Sequence, residues 1–154
     1  MNKITDQETI QKLAKLPPIE KHSKKDKQFF SDIGKALFKS EIKSLISKKN
    51  YTLAVIIAST MLDYVGKIQL RWKYNGTISK KEIQNMRLYN VNQMLFASNI
   101  IDNITYQRID CVRRERNNLA HNLLTNLTSF QDEKKLLRVL DDATKSIEQL
   151  LSIK

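Results

Sequence analysis

An all-helical domain is what this sequence predicts, and three observations carry that reading. Glycine and proline are scarce, three and two in 154 residues, whereas sheet-rich folds spend both on many tight turns. Leu and Lys are abundant, and Gln is well represented. Apolar residues recur at the spacing of one helix face through most of the chain. At 154 residues the chain can bury one proper core and is too short for two full-sized domains.

The elements follow in order. Asp6 can cap a first helix over residues 6–16, which Pro17 and Pro18 end. Residues 20–27, EKHSKKDK, lack apolar periodicity and read as a mobile basic connector. The chain therefore divides into an amino-terminal helix and basic linker, 1–27, and a helical bundle, 28–154. A helix over 31–48 gathers Ile33, Leu37, Ile42, Leu45 and Ile46 on one broad face. The next, 52–73, is the most apolar. At about 100° per residue, its Ala54, Ile57, Ala58, Met61, Val65 and Ile68 form a buried arc, and Ser59, Asp63 and Lys67 a narrow polar stripe opposite. Asn75-Gly76 is a turn, and Ser79-x-x-Glu82 is a capping box that opens another helix. A helix over 105–123 follows. The last starts at 129 or 131 and presents Leu136, Leu137, Leu140, Ile147, Leu150 and Leu151.

Composition narrows the function classes. The one cysteine, Cys111, excludes an internal disulfide framework and fits a reducing compartment. Residues 1–11 lack a signal-peptide core. The strongest apolar run, 54–62, is broken by Ser59 and Thr60 and is far shorter than the roughly 20 residues a bilayer needs. The expectation is a soluble cytoplasmic protein with no membrane partner. The net charge of +11 is carried by the first two thirds, because residues 101–154 hold nine Lys/Arg against eight Asp/Glu. Such an excess favours polyanionic partners, RNA among them, although lysine-rich solvated surface gives the same count.

The chemistry concentrates in Arg113-Arg114-Glu115-Arg116-Asn117-Asn118-Leu119-Ala120-His121. His121 is one of two histidines, and histidine is the side chain suited to proton transfer near neutral pH. On the helical wheel Ile109, Val112, Leu119, Ala120 and Leu123 fall in one arc, and Arg116 falls inside it. An arginine there must be paired, extend along its stem to water, or serve a site. Asp63 on the polar stripe is the candidate partner; an i,i+4 pair of Asp63 with Lys67 is the alternative. Arg113, Asn117 and His121 are one turn apart on an adjoining face. His22, in the connector, reads as a solvent-exposed bystander.

Arg116-Asn117-x-x-x-His121, late in a helix of an all-α domain, resembles the R-x4-6-H signature of the HEPN superfamily. The apolar helix ending in Leu62-Asp63, the approach from Ile100-Ile101-Asp102 to Ile109, and Thr128-Ser129-Phe130-Gln131-Asp132 are similar to its mannitol-repressor branch. The resemblance covers about residues 51–140. It implies a HEPN-like helical bundle that forms a homodimer and, in many members, cleaves RNA without a metal, in toxin–antitoxin or antiviral defence settings. It maps Arg116, Asn117 and His121 onto the catalytic positions. Asp63 would support them, Arg113 and Arg114 would hold RNA, and no cofactor or metal is implied. A protein antitoxin or regulatory partner fits such a role.

The chemistry is coherent for these residues. RNA carries its own nucleophile, the 2′-hydroxyl. His121 could take its proton, Arg116 could stabilise the phosphorane, and Asn117 could orient phosphate or imidazole. One histidine is not both base and acid in one step, so a second copy across a twofold axis would supply the other. No Cys/His/Asp cluster has metal-ligand spacing, in agreement with a metal-free route. The reading from the other class is a non-catalytic, mannitol-repressor-like regulator or dimeric binding module that keeps the bundle. DNA binding ranks below both, because no glycine-containing helix-turn-helix signal is present.

Overall fold

Helix is the one regular structure among the described residues of the computed structural model, which covers residues 11, 15, 21–124 and 132–153. The helix expected over 6–16, the segment 128–131, and the side chains of Ile33, Leu37 and Leu123 lie outside what is described.

The first described helix, α1, runs Lys24–Ser47 and begins earlier than its apolar pattern. Ser23 and Asp26 form a capping box: Ser23 Oγ accepts from the Asp26 amide at 3.2 Å, and the Asp26 carboxylate accepts from the Ser23 amide at 2.8 Å. The expected connector over 20–27 is thus corrected, since its second half is the first turn of a helix. Phe38, Ile42 and Leu45 bury one face. Lys49, at φ 54°, turns the chain, and Asn50 caps α2, Tyr51–Lys73, by accepting from the Leu53 amide at 3.4 Å.

The centre of the bundle is α2, which touches every other helix. Its most apolar window has a mean hydropathy of 1.4, enough by length and composition to cross a bilayer, although the run 54–62 alone is too short. Its apolar surface is instead taken up by its neighbours. Ala54, Val55, Ala58, Leu62, Val65 and Leu70 are buried, and burial continues onto the expected polar stripe, where Ser59 is only 1% exposed. The stripe is only partly open to solvent, and the exposed side of the helix is the one that carries Leu53, Thr60 and Tyr64.

Gly76, at φ 79°, supplies the turn after α2. The Ser79–Glu82 capping box opens α3, Lys80–Asn85, as its spacing predicts. Extended backbone at Met86 and Arg87 then breaks the chain before α4, Leu88–Ala97. Leu88, Val91 and Leu95 seat α4 on α2. Gly66 permits that approach: a Cβ there would sit 2.8 Å from Val91 Cγ1 and 3.2 Å from Leu95 Cδ1.

Asp102 opens α5, Asn103–Leu124, by accepting from the Thr105 amide at 2.8 Å. Asp132 caps α6, Glu133–Ser152, whose Leu136, Val139, Leu140, Ala143, Ile147, Leu150 and Leu151 form its buried face. Leu137, expected in that face, is 37% exposed, and Val139 holds the place instead. Two carbonyls at the end of α6 find side-chain donors. Gln69 Nε2 donates to the Leu150 carbonyl at 2.6 Å, and Ser31 Oγ donates to that of Leu151. The Gln69 bond sets α2 parallel to α6, as does Tyr51 donating to Glu133 at 2.6 Å where both helices begin. Lys39 meets Glu148 at 2.7 Å, which sets α1 antiparallel to α6.

The Gly66 contact is the one to probe. Gly66→Val places a branched Cβ against buried Val91, and overpacking of this kind costs roughly 1–3 kcal/mol. A lowered urea midpoint is expected; an unchanged or raised midpoint would show that α4 does not lie on α2 at this level.

Candidate functional site

The motif side chains stand on α5, and their order follows from its pitch. Tyr106, Asp110, Arg113, Asn117 and His121 fall on one stripe at i, i+4, i+7, i+11 and i+15. The opposite face buries Thr105, Ile109, Val112, Glu115 and Leu119 against the bundle. The helix start is fixed by Asp102, whose carboxyl is held below its ordinary range by the Thr105 amide and then by the Thr105 hydroxyl. A depressed carboxylate stabilises the fold above its unfolded pKa, and that contribution is lost as pH falls through the folded value.

Asp110 organises the arginines before the motif. Its Oδ1 accepts from Arg113 Nε at 2.9 Å and Nη2 at 2.8 Å, and its Oδ2 meets Arg114 Nη2 at 2.7 Å. Two cations on one carboxylate leave net positive charge on the stripe. Arg113 is further held over the Tyr89 ring, its guanidinium carbon 5.4 Å from the centroid. Arg114 turns to the other side, toward Cys111 and Asn118. The two arginines read together as RNA contacts therefore face different surfaces.

A groove of about 850 Å³ opens between α2, the Met86–Arg87 link, the start of α4 and α5. Arg87, Arg113, Arg116 and Asn117 line it, with Tyr89, Ser59 and Asp63. Arg116 is exposed, although its helical angle belongs to the apolar arc. Among the described residues, the chain beside Arg116 is the extended Met86–Arg87 link before α4 and not a helix. Its Nη1 donates to Asn117 Oδ1 at 3.2 Å.

The expected pairing of Arg116 with Asp63 is corrected. Asp63 Oδ2 instead accepts from Lys67 Nζ at 2.7 Å, the i,i+4 alternative, with side chains 31% and 18% exposed respectively. The buried carboxylate of this region is one the sequence reading missed. Glu115, 9% exposed, meets Lys135 at 3.0 Å on the far side of α5.

Asp63 Oδ1 and Ser59 Oγ are buried, and among the described residues neither has a hydrogen-bond partner. Leaving such a group unsatisfied costs roughly 1–3 kcal/mol, so both mark the groove as more than packing. His121 is exposed, in the last turn of α5, one turn beyond Asn117 and outside the groove lining. The structure thus brings Arg113, Arg116, Asn117 and Asp63 to one groove, leaves His121 one helical turn past Asn117 and outside the lining, and leaves Arg114 apart.

His22 is not the exposed bystander expected. It is half-buried, its ring 6.0 Å from Trp72, in a cluster where Lys27 Nζ lies 4.9 Å over the same indole. Among the described residues no three His, Cys, Asp or Glu side chains converge on a metal position. Arg87 and Tyr89 were not singled out from sequence, and Ser59 only as part of the polar stripe. The available signal was the segment LYNVNQMLFA, a helix without a charged residue directly after an arginine.

Comparison with known proteins adds nothing to this geometry: no family model, no curated protein and no solved structure matches the chain.

The Asp63–Lys67 pair gives a direct check on the site. The pair is half-buried. Its worth lies between the few tenths of a kcal/mol of an exposed i,i+4 pair and the roughly 3–5 kcal/mol lost on breaking a buried one, so Asp63→Ala should cost about 1–2 kcal/mol. A loss of several kcal/mol in denaturant unfolding would mean that Asp63 holds a buried cation after all.

Proposed function

We propose that this chain is a metal-independent endoribonuclease of HEPN type, with Arg116, Asn117 and His121 as its catalytic residues. The observation that carries the reading is the helical stripe on which Asn117 and His121 stand one turn apart beside an exposed Arg116, at the mouth of an arginine-lined groove. A phosphodiester laid across that mouth would meet a charge stabiliser and a base from one copy, and the acid would come from a second.

The chemical step balances with these side chains. The His121 imidazole takes the 2′-hydroxyl proton as O2′ forms a bond to phosphorus. Arg116 offers its fork of donors to the non-bridging oxygens as the phosphorane gains negative charge. The bond from phosphorus to O5′ breaks, and the leaving oxygen takes a proton from the His121 imidazolium of a second copy. A twofold pairing along α5 supplies that second imidazole, which is why the reading includes a homodimer. Asn117, already bonded to Arg116, holds the guanidinium in its working orientation. The protein's setting would then be toxin or defence chemistry in the cytoplasm, with an inhibitory partner protein.

The second reading, a mannitol-repressor-like regulator or binding module, is favoured by one observation. His121 lies in the last turn of α5, where an imidazolium interacts favourably with the carbonyl end of the helix without any catalysis.

The test uses purified full-length protein, mixed RNA and EDTA. His121→Ala and Arg116→Ala should each reduce cleavage by at least a hundredfold, within the range of a lost general base or charge stabiliser, while light scattering still reports a folded dimer. Cleavage that His121→Ala matches, or a wild-type monomer at micromolar concentration, would contradict the proposal.

A further inference from the structure

In a chain with 28% charged residues, α4 carries none, yet it is a surface helix. Tyr89 is 47% exposed and Phe96 42%. They stand on one face at i and i+7, with exposed Gln93 between them. Surface helices ordinarily turn a charged face to water, and an exposed aromatic stripe marks a face that something covers.

The stripe is braced from the neighbouring helix. Gln93 Nε2 donates to Tyr89 Oη at 2.8 Å and lies 3.3 Å from Tyr106 Oη. Tyr106 packs against Phe96, ring centroids 5.1 Å apart and planes tilted by 38°. Asn92 Nδ2 donates to the Tyr106 carbonyl at 3.0 Å, which locks the two helices at that level. These rings are held in place before any ligand arrives, so little ordering cost falls on binding.

The stripe is also continuous with the groove. Tyr89 belongs to both, with Arg113 over its ring and Arg87 and Arg116 beside it. Tyr89 lies near Arg113 while Phe96 lies near Tyr106, so α4 and α5 are antiparallel. The aromatic stripe therefore leads away from the groove in the direction opposite to His121. From Tyr89 to Phe96 the helix rises about 10 Å, the length of about three nucleotides at 3.4 Å per step.

We infer that this face is a binding track for single-stranded nucleic acid, in which bases stack on Tyr89 and on the Phe96–Tyr106 pair and the adjoining phosphate enters the groove between Arg87, Arg113 and Arg116. The occupant follows from charge: an uncharged aromatic platform ending in three arginines matches a strand with apolar base faces and an anionic backbone. The inference rests on the ribonuclease reading for the enzyme's substrate class, and it adds that the substrate is unpaired, because bases inside a duplex do not offer their faces.

Fluorescence anisotropy with a labelled single-stranded oligodeoxynucleotide of about twelve nucleotides, long enough for a site of this kind, tests the track without cleavage. Tyr89→Ala and Phe96→Ala should each weaken binding by about tenfold or more and leave its salt dependence unchanged. Arg87→Ala should flatten the salt slope by about one unit. Phe96→Trp, which keeps a stacking surface, should retain affinity and controls for damage to the fold. A duplex of the same length should bind more weakly than the single strand. Unchanged affinity in both alanine variants would overturn the inference, as would a wild type that does not bind the strand. Alanine variants that dissociate a dimer without affecting binding would also overturn it and assign the face to a second copy. Binding that follows these expectations in a protein that leaves RNA intact would sustain the track and defeat the nuclease.

Discussion

Everything else in this bundle depends on α2 being enclosed. Val55, Ala58 and Val65 are wholly buried, and Gly66 lets Val91 and Leu95 approach to van der Waals contact. Each fully buried aliphatic side chain contributes roughly 1.5–3 kcal/mol, so the neighbouring helices are drawn around α2 on nearly every side. The side of α2 that carries Ser59 and Asp63 is turned toward α4 and α5, and these two residues line the groove together with Arg87, Arg113 and Arg116. The same packing that forms the core places polar groups with open hydrogen-bonding capacity next to the motif helix.

Arginine placement in the groove follows a second constraint. Asp110 holds Arg113 and Arg114 apart, one on each side of α5, and Tyr89 fixes Arg113 further. Among the described residues, Arg116 has its neighbour Asn117 as a hydrogen-bonded side chain, in an exposed contact. A surface bond of this kind contributes little net stability, so exchanging it for a phosphate oxygen costs little. In the proposed reaction Arg113 would be the positioned cation and Arg116 the one that meets the phosphate.

Local signals were legible in the sequence, and relations between helices were less so. The Ser79–Glu82 box, the turn at Gly76 and the bounds of α2 were readable because each depends on a few adjacent residues. The capping box at Ser23 has the same form with Asp in place of Glu, and the lysines around it hid it within an apparent connector. The exposure of Arg116 was not readable. Its wheel angle is right for burial, and only the extended link at Met86 and Arg87 leaves it uncovered. For the same reason the wheel marked Ser59, Asp63 and Lys67 as a solvent stripe, since it shows the faces of a helix and not what surrounds them. The uncharged segment Leu88–Ala97 was legible in composition, but its meaning required knowing that it lies at the surface beside Arg113.

The proposal that Arg116 and His121 cleave RNA through its own 2′-hydroxyl is tested most directly by the chemical ends of the products. Mass spectrometry of a short single-stranded RNA after incubation with the wild-type protein should find 2′,3′-cyclic phosphate on one fragment and a 5′-hydroxyl on the other. A single 2′-deoxy substitution at the cleaved position should abolish that cut alone. Fragments ending in 3′-hydroxyl and 5′-phosphate, or cleavage that persists at the deoxy position, would contradict the account, because neither outcome uses the nucleophile that His121 is proposed to activate.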